Sequence, residues 1–438
     1  MKPINTLLTW VAIGFFYATQ AWAADDFGRL HFMGYGTLGF NQDDNRPNST
    51  FLRDISQRPR DSFTTSSWLT DDAWLRDSRL GLQIGYQFTP TVSAVSQVVV
   101  RNQVSPKLTH FVDWTYLAIN PLPELDTRIG RIGYDVFLMS EQRNMSYSYP
   151  WVRPPVEFYG WIPLYSVDGA DLAYTLRDQE TQWRFKLQAG HSPGLGVPIG
   201  TDDNFYVKSN KILAATVTRE NGPWLLKAGY SHVAISREAD PLVNMLFNDL
   251  DSVTALQIQT ANGDVSGEAA ELRRNMTWKN SHMNYFTLGA TYDKNDLLAQ
   301  AELGAVFSSI DMSMNHSMAY VGLAKRMDDW TPYLLVSGIR PHDKPYSASY
   351  NWGDGLPPPF AGPLNGLQAG AITALNSTRI HQETLSLGLR WDFNSRAAIK
   401  WQLDSTHVHP YGYLLRPTTD VSQALHVNLL SVNLDFTF

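Results

Sequence analysis

Residues 430–438 place Leu430, Val432, Leu434, Phe436 and Phe438 on one side of an extended chain and Ser431, Asn433, Asp435 and Thr437 on the other. Side chains alternate across a strand, so this segment has one apolar face and one polar face. The same alternation recurs at 30–40, 75–88, 92–102, 111–120, 125–133, 167–176, 182–191 and 212–219. It continues at 224–233, 284–292, 297–306, 318–327, 330–340, 383–392, 397–406 and 425–438. The pattern predicts about sixteen strands, an even number, as closure of a bacterial membrane barrel requires.

The connections alternate between two kinds. Short ones, mostly rich in Asp, Asn, Pro or Gly, fall at 89–91, 121–124, 177–181, 220–223, 293–296, 328–329 and 394–395, where turn chemistry is expected. Long ones fall at 41–74, 134–166, 192–211, 234–283, 341–382 and 407–424, with shorter members at 103–110 and 307–317. Turns would therefore gather at one end, toward the periplasm, and loops at the other.

Charge decides which face is which. Trp183, Phe185 and Leu187 alternate with Arg184, Lys186 and Gln188. Turning the basic pair to hydrocarbon would cost roughly 2–4 kcal/mol per charge near the midplane. A soluble barrel would instead bury Arg184, Lys186, Lys227 and Arg390 in an apolar core, which is also unfavourable. The basic residues therefore face an aqueous interior, and Leu80, Leu82, Ile84, Tyr86 and Phe88 face lipid. Arg131 shares the outward parity of Ile129, so either the strand bulges there or the side chain reaches an interface at the loop base.

Aromatic residues make up 12% of the chain. Phe88, Trp183, Trp224, Tyr292, Trp330, Trp391 and Phe438 all lie near a predicted turn or the chain end, as an interfacial girdle demands. At the other terminus, Lys2, an apolar stretch over 7–17 and Ala21-Trp22-Ala23 read as an export signal spanning 1–23, leaving 24–438 as the barrel. The stretch is much shorter than the roughly 20 residues of a membrane helix. The absence of cysteine excludes disulfides and thiolate-ligated metal, and a net charge of -7 argues against non-specific nucleic-acid binding.

The loop over 134–166 differs from the others, with Tyr147, Tyr149, Pro150, Trp151, Pro154, Pro155, Phe158, Tyr159 and Trp161. Such density suggests a packed element. Arg128-Ile129-Gly130-Arg131-Ile132-Gly133 ahead of it and Pro155-Val156-Glu157-Phe158-Tyr159-Gly160 within it are similar to the Gly-Arg strand and the Pro-Glu-Phe-Gly-Gly turn of a known family. On these residues and its overall architecture the mature chain resembles the trimeric sixteen-stranded bacterial outer-membrane porins, including their phosphate-selective branch. The resemblance implies an all-β transmembrane antiparallel barrel with an inward-folded third extracellular loop, and a homotrimer in the outer membrane of a Gram-negative bacterium. It implies contact with the bilayer and lipopolysaccharide, passage of small hydrophilic solutes, and no cofactor.

Two departures stand out: Val156 separates Pro155 from Glu157, and only one glycine follows. Phosphate selectivity is not supported, because this loop sets Arg143 and Arg153 against Asp135, Glu141 and Glu157. The expected constriction residues are Glu141, Arg143, Arg153, Glu157 and Tyr159. The expected wall residues near mid-height are Arg128, Lys186, Lys227, Arg390 and Lys400, with Asp171 and Glu302 as the acids. Loop acids facing this basic arc would orient small polar or anionic solutes across a narrow aqueous opening. Gly34, Gly36 and Gly39 on the first strand would permit close packing between subunits, or reflect bulges or lumen space.

Other readings are weaker. His407 and His409, with His381, read as polar loop residues because the nearby carboxylate, Asp404, has the opposite parity; no metal is expected. No Gly-x-Ser-x-Gly elbow occurs, and no enzyme is expected. Helical composition at 267–275 and the stiff Pro357-Pro358-Pro359 run leave open a surface receptor or adhesin with a plugged lumen. A soluble periplasmic β-protein conflicts with the apolar outer face.

Overall fold

The computed structural model describes residues 29–44, 54–55, 57, 71–102, 108–162, 164–198, 204–239, 241–309, 315–412 and 422–438; the expected export signal lies outside them. Sixteen antiparallel strands close into a barrel. The first half comprises β1 (Leu30–Asp43), β2 (Arg79–Thr89), β3 (Val92–Arg101), β4 (Val112–Leu122), β5 (Leu125–Gly133), β6 (Ser166–Asp178), β7 (Thr181–Pro198) and β8 (Asn204–Asn221). The second comprises β9 (Trp224–Ala239), β10 (His282–Lys294), β11 (Leu297–Ser308), β12 (His316–Lys325), β13 (Trp330–Pro341), β14 (Gln382–Asn394), β15 (Ala397–Val408) and β16 (Leu425–Thr437). Each strand pairs with its sequence neighbours, and β16 returns to β1.

The ends are sealed by the terminal alternation. Phe438 N–H donates to the Gly34 carbonyl at 2.9 Å and Gly34 N–H to the Phe438 carbonyl at 2.8 Å. On Gly34 and Gly36 a side chain would collide with the rings of Phe438 and Phe436. Those glycines accommodate aromatic rings of their own chain at the seam, a recurrent device of curved sheets. Gly39 instead lies against Asp77 and the Asn433 side chain.

The outer wall is apolar. Val98, Leu187, Leu288, Leu303 and Leu387 are exposed, whereas their alternates Gln97, Lys186, Thr287, Glu302 and Ser386 on the inner face are buried. A wall of this kind is stable in hydrocarbon and not in water; the chain is an outer-membrane β-barrel. At the short-turn end, Trp330 stacks on Trp391 at 5.3 Å between centroids and Trp224 meets Tyr292 at 4.8 Å, as an aromatic girdle requires. Asn295, Asp296 and Asp328 take positive φ in these turns, which Asn and Asp tolerate best among residues with a β-carbon.

One expectation needs correction, and two that were left open are resolved. The segment 192–211 is largely not a loop: β7 and β8 continue as a paired ribbon, with Leu195 opposite Val207 and register shifts between Gly190 and Ser192 and between Ser192 and Leu195. Strands need not stop where the membrane does, and those irregularities interrupt the alternation that would have revealed the pairing. The triple-proline run opens a helix, Pro358–Asn376, since proline suits the first helical turn. At Arg131 the ladder is regular on both sides, opposite Thr115 and Asp168; the side chain reaches Asp168 at 2.6 Å and the Thr109 carbonyl at 2.7 Å.

The long connections after β9 and β13 carry helices α1 (Pro241–Ala255), α2 (Val265–Asn275) and α3 (Pro358–Asn376). Asp264 caps α2 by accepting from Gly267 N–H at 2.9 Å. The helices share an apolar core of Phe247, Leu250, Val265, Leu272, Trp352 and Leu375.

Candidate functional site

The connection between β5 and β6 turns into the barrel and crosses it. Its route is fixed by the wall, beginning with size. A side chain on Gly322 would strike the Trp151 ring, on Gly289 the Leu138 side chain, and on Gly229 the Val136 carbonyl. Trp151 then meets Tyr333 edge-on at 5.7 Å. Phe137, Phe158, Tyr159, Tyr320 and Tyr285 build an aromatic core in the same region. The aromatic and proline density of the loop thus folds inward as an apolar wedge in a polar lumen.

Charge fixes the loop at two places. At its root, Asp135 lies between Lys186, at 2.5 Å, and Lys227; Lys227 also donates to the Phe137 carbonyl at 2.9 Å. Burial opposes ionisation of Asp135, but the two ammonium groups outweigh it and hold the carboxyl well below the usual carboxylate range. Arg128 pairs with Asp171 at 2.5 Å and Glu141 at 3.0 Å, and Lys186 lies 3.6 Å from Glu141. Glu302 accepts from Leu138 N–H at 2.9 Å, the Tyr159 hydroxyl at 2.5 Å and the Tyr320 hydroxyl at 3.2 Å.

Across the lumen, Lys400 donates to the carbonyls of Ser146, Tyr149 and Trp151 at 2.6, 2.7 and 2.9 Å and pairs with Asp435 at 2.9 Å. Arg390 donates to the carbonyls of Tyr147 and Tyr149 at 2.8 and 3.1 Å and pairs with Asp392. Arg153 joins Asp77 at 2.7 Å, Asp404 at 2.8 Å and the Asn41 side chain at 2.7 Å. Burial works against the Arg153 charge; the two carboxylates outweigh it and hold its pKa above the ordinary arginine value. Arg143 closes the loop on itself, donating to the Ile162 and Leu164 carbonyls at 3.0 and 3.3 Å. Glu157 accepts from Ser337 at 2.6 Å, Gln382 at 2.7 Å and Thr384.

The structure therefore places Arg128, Glu141, Asp171, Lys186 and Lys227 together at the loop root, and Arg153, Arg390 and Lys400 on the far side. Glu302 with Tyr159, and Glu157, form separate attachments. The loop acids at the root touch the basic arc directly rather than facing it across a gap, because the loop lies against the wall there. Sequence reading missed Asp77, Tyr320, Tyr333 and Asp435 as partners; the inward parity of Asp435, in the final strand, was the available signal.

Water access is uneven. From the loop root toward the short turns along β5 and β7, the side chains of Arg128, Glu141, Arg184 and Asp126 retain 18, 14, 19 and 17% exposure. Lys400 and Asp435, opposite, retain none. The partly exposed charges mark a hydrated sector near β4–β7, and the Lys400–Asp435 pair is sealed, although Asp392 on β14 keeps 24% exposure and a cavity opens between Arg153–Glu157 and Ser337, Gln382, Thr384 and Asp404.

No protein-family model matches the chain, and no curated protein sequence does. Solved structures are similar in fold. The anion-selective porin from Comamonas acidovorans is 10% identical, covering 93% of this chain and 99% of that one with a TM-score of 0.50. OmpF of Salmonella typhi in complex with daunomycin is 11% identical over 93% and 97%, TM-score 0.49. The outer-membrane channel DcaP of Acinetobacter baumannii is 11% identical over 93% and 97%, TM-score 0.49. The fold is that of the sixteen-stranded outer-membrane porins.

Proposed function

We propose that the protein is a diffusion porin that passes small hydrophilic solutes along the hydrated sector of the lumen. The observation that carries this reading is the residual exposure of Arg128 and Glu141 beside the inward loop and of Asp126 and Arg184 nearer the short turns. Solutes meeting them would exchange hydration for paired charges of both signs. Arg128, Arg184, Lys186 and Lys227 are matched by Asp126, Asp135, Glu141 and Asp171, so anion preference would be weak. The loop residues Arg143, Arg153, Glu157 and Tyr159 shape the passage by holding the loop in place. This reading includes an export signal at 1–23, an outer-membrane trimer contacting lipopolysaccharide, and no catalytic step.

A second reading is favoured by the helical core at the long-loop end. Trp278 packs against both that core and the aromatic core around the inward loop, as a receptor head seated on a plugged barrel would. Reconstitution in planar bilayers separates the two. The porin reading expects steady conductance, with a reversal potential in a salt gradient near that of a weakly selective pore; a folded protein that stays electrically silent would support the receptor.

A further inference from the structure

The outer wall carries a polar cluster at its long-loop end that solute passage does not use. Glu383 on β14 lies directly opposite His407 on β15, and His407 opposite His426 on β16. Glu383 and His407 share the outward parity of exposed Leu385 and Leu403. His409, just past the end of β15, is fixed by its main chain: its N–H donates to the His381 carbonyl, and its own carbonyl accepts from Gly412 N–H, each at 3.0 Å. Its ring stacks on His381 at 3.8 Å between centroids. Glu383 Oε1 then lies 3.6 Å from His409 Nε2, and one ligand atom from each of Glu383, His407 and His409 falls within 4.8 Å of the others.

We infer that Glu383, His407 and His409 form a binding site for a first-row divalent transition-metal ion on the outer wall, just above the apolar belt. Two imidazole nitrogens and one carboxylate oxygen suit such an ion, whereas magnesium and calcium prefer all-oxygen sites. Bonds of about 2.0–2.2 Å put tetrahedral ligand atoms roughly 3.4 Å apart. Small side-chain rotations close the observed spacing to that value, and Glu383 is exposed enough to make them. His407 meets the His409 ring edge-on at 4.7 Å and faces Glu383 across the strand pair, so a plain Glu383–His409 ion pair does not account for the gathering of all three. The parity objection drawn from Asp404 does not apply, because that residue pairs inward with Arg153 and the carboxylate comes from the neighbouring strand. The remaining coordination positions would face outward, open to water or to an oxygen ligand at headgroup level. An ion there would tie the chain leaving β15 back to β14.

The test uses the full-length chain in detergent, without a histidine tag. Equilibrium dialysis against Zn²⁺ at micromolar concentration should leave one ion per chain. His407→Ala and His409→Ala should each weaken retention at least about tenfold, and Glu383→Gln by about tenfold. His232→Asn, at an outer-wall histidine elsewhere, should leave it unchanged, and Co²⁺ should give the intense visible bands of a low-coordinate nitrogen site. Heat-modifiable gel migration reports whether each variant is folded; should an alanine variant fail there, Glu383→Gln and the Co²⁺ spectrum decide. Absence of a retained ion, retention untouched in every folded cluster variant, or an aquo-like Co²⁺ spectrum would overturn the assignment.

Discussion

Lys400 and Asp435 form an ion pair at 2.9 Å with neither side chain exposed, and the same ammonium group gathers three carbonyls of the inward loop. Removing one partner of a buried pair leaves an uncompensated charge, at a cost of about 3–5 kcal/mol. Lys400→Met should therefore lower the thermal midpoint for loss of the compact gel form. Adding Asp435→Asn should recover part of that loss. Equal midpoints for wild type and Lys400→Met would mean that the pair does not hold the loop.

Trp151 presses on Gly322 and meets Tyr333. Its deletion opens a cavity in the loop's apolar anchorage, a change that costs about 3–5 kcal/mol in a well-packed core. Loop attachment rather than barrel closure should suffer, since the strand ladder is untouched. Trp151→Ala is expected to give larger and noisier single-channel currents with unchanged outer-membrane fractionation. Currents indistinguishable from wild type would show that the wedge does not restrict the lumen.

The outer face was legible because two-residue alternation and the cost of charge in lipid both constrain it: Leu80, Leu82 and Ile84 could face only one way. The inward loop was legible as a packed element from its aromatics and prolines. Its partners were not, because Lys400 and Ser146 are brought together by the path of the loop across the lumen, and one strand period carries no information about that path. The same limit explains Glu383 and His409, which meet through a neighbouring strand and a main-chain hydrogen bond. Helix α1 was missed for a different reason: it lies in a long connection where no strand pattern constrained the reading.

Asp135 supplies a pH dependence. Its folded carboxyl titrates well below the ordinary value near 3.8, so the ion pairs at the loop root are fully stabilising above about pH 4 and are lost only as pH falls toward the depressed folded value. Resistance of the loop to proteolysis from the long-loop side should hold from neutral pH down to about 4 and decline below that. Asp135→Asn removes the titrating group and leaves Lys186 and Lys227 unpaired with it, so protection should already be weakened at pH 7 and depend less on acid. A loss of protection near pH 6 in the wild type would place the sensitive group elsewhere.

Glu141 offers the sharpest test of the hydrated sector, because it is partly exposed while touching Arg128 and Lys186. Glu141→Gln keeps the side chain's size and leaves one uncompensated positive charge beside the passage. A unit charge about 5 Å from a permeating ion, at an effective dielectric between protein and water, contributes on the order of 1 kcal/mol, a several-fold change in permeability ratio. The reversal potential in a salt gradient should move toward the anion side, and Arg128→Gln should move it toward the cation side. Both shifts should shrink at high salt, where the screening length falls to about 3 Å at 1 M. Because Lys400 and Asp435 are sealed from water, Asp435→Asn should change stability without a comparable shift. If Glu141→Gln and Arg128→Gln conduct with the wild-type reversal potential, ions do not pass between β4 and β7, and the proposed route is wrong even though the barrel is a pore.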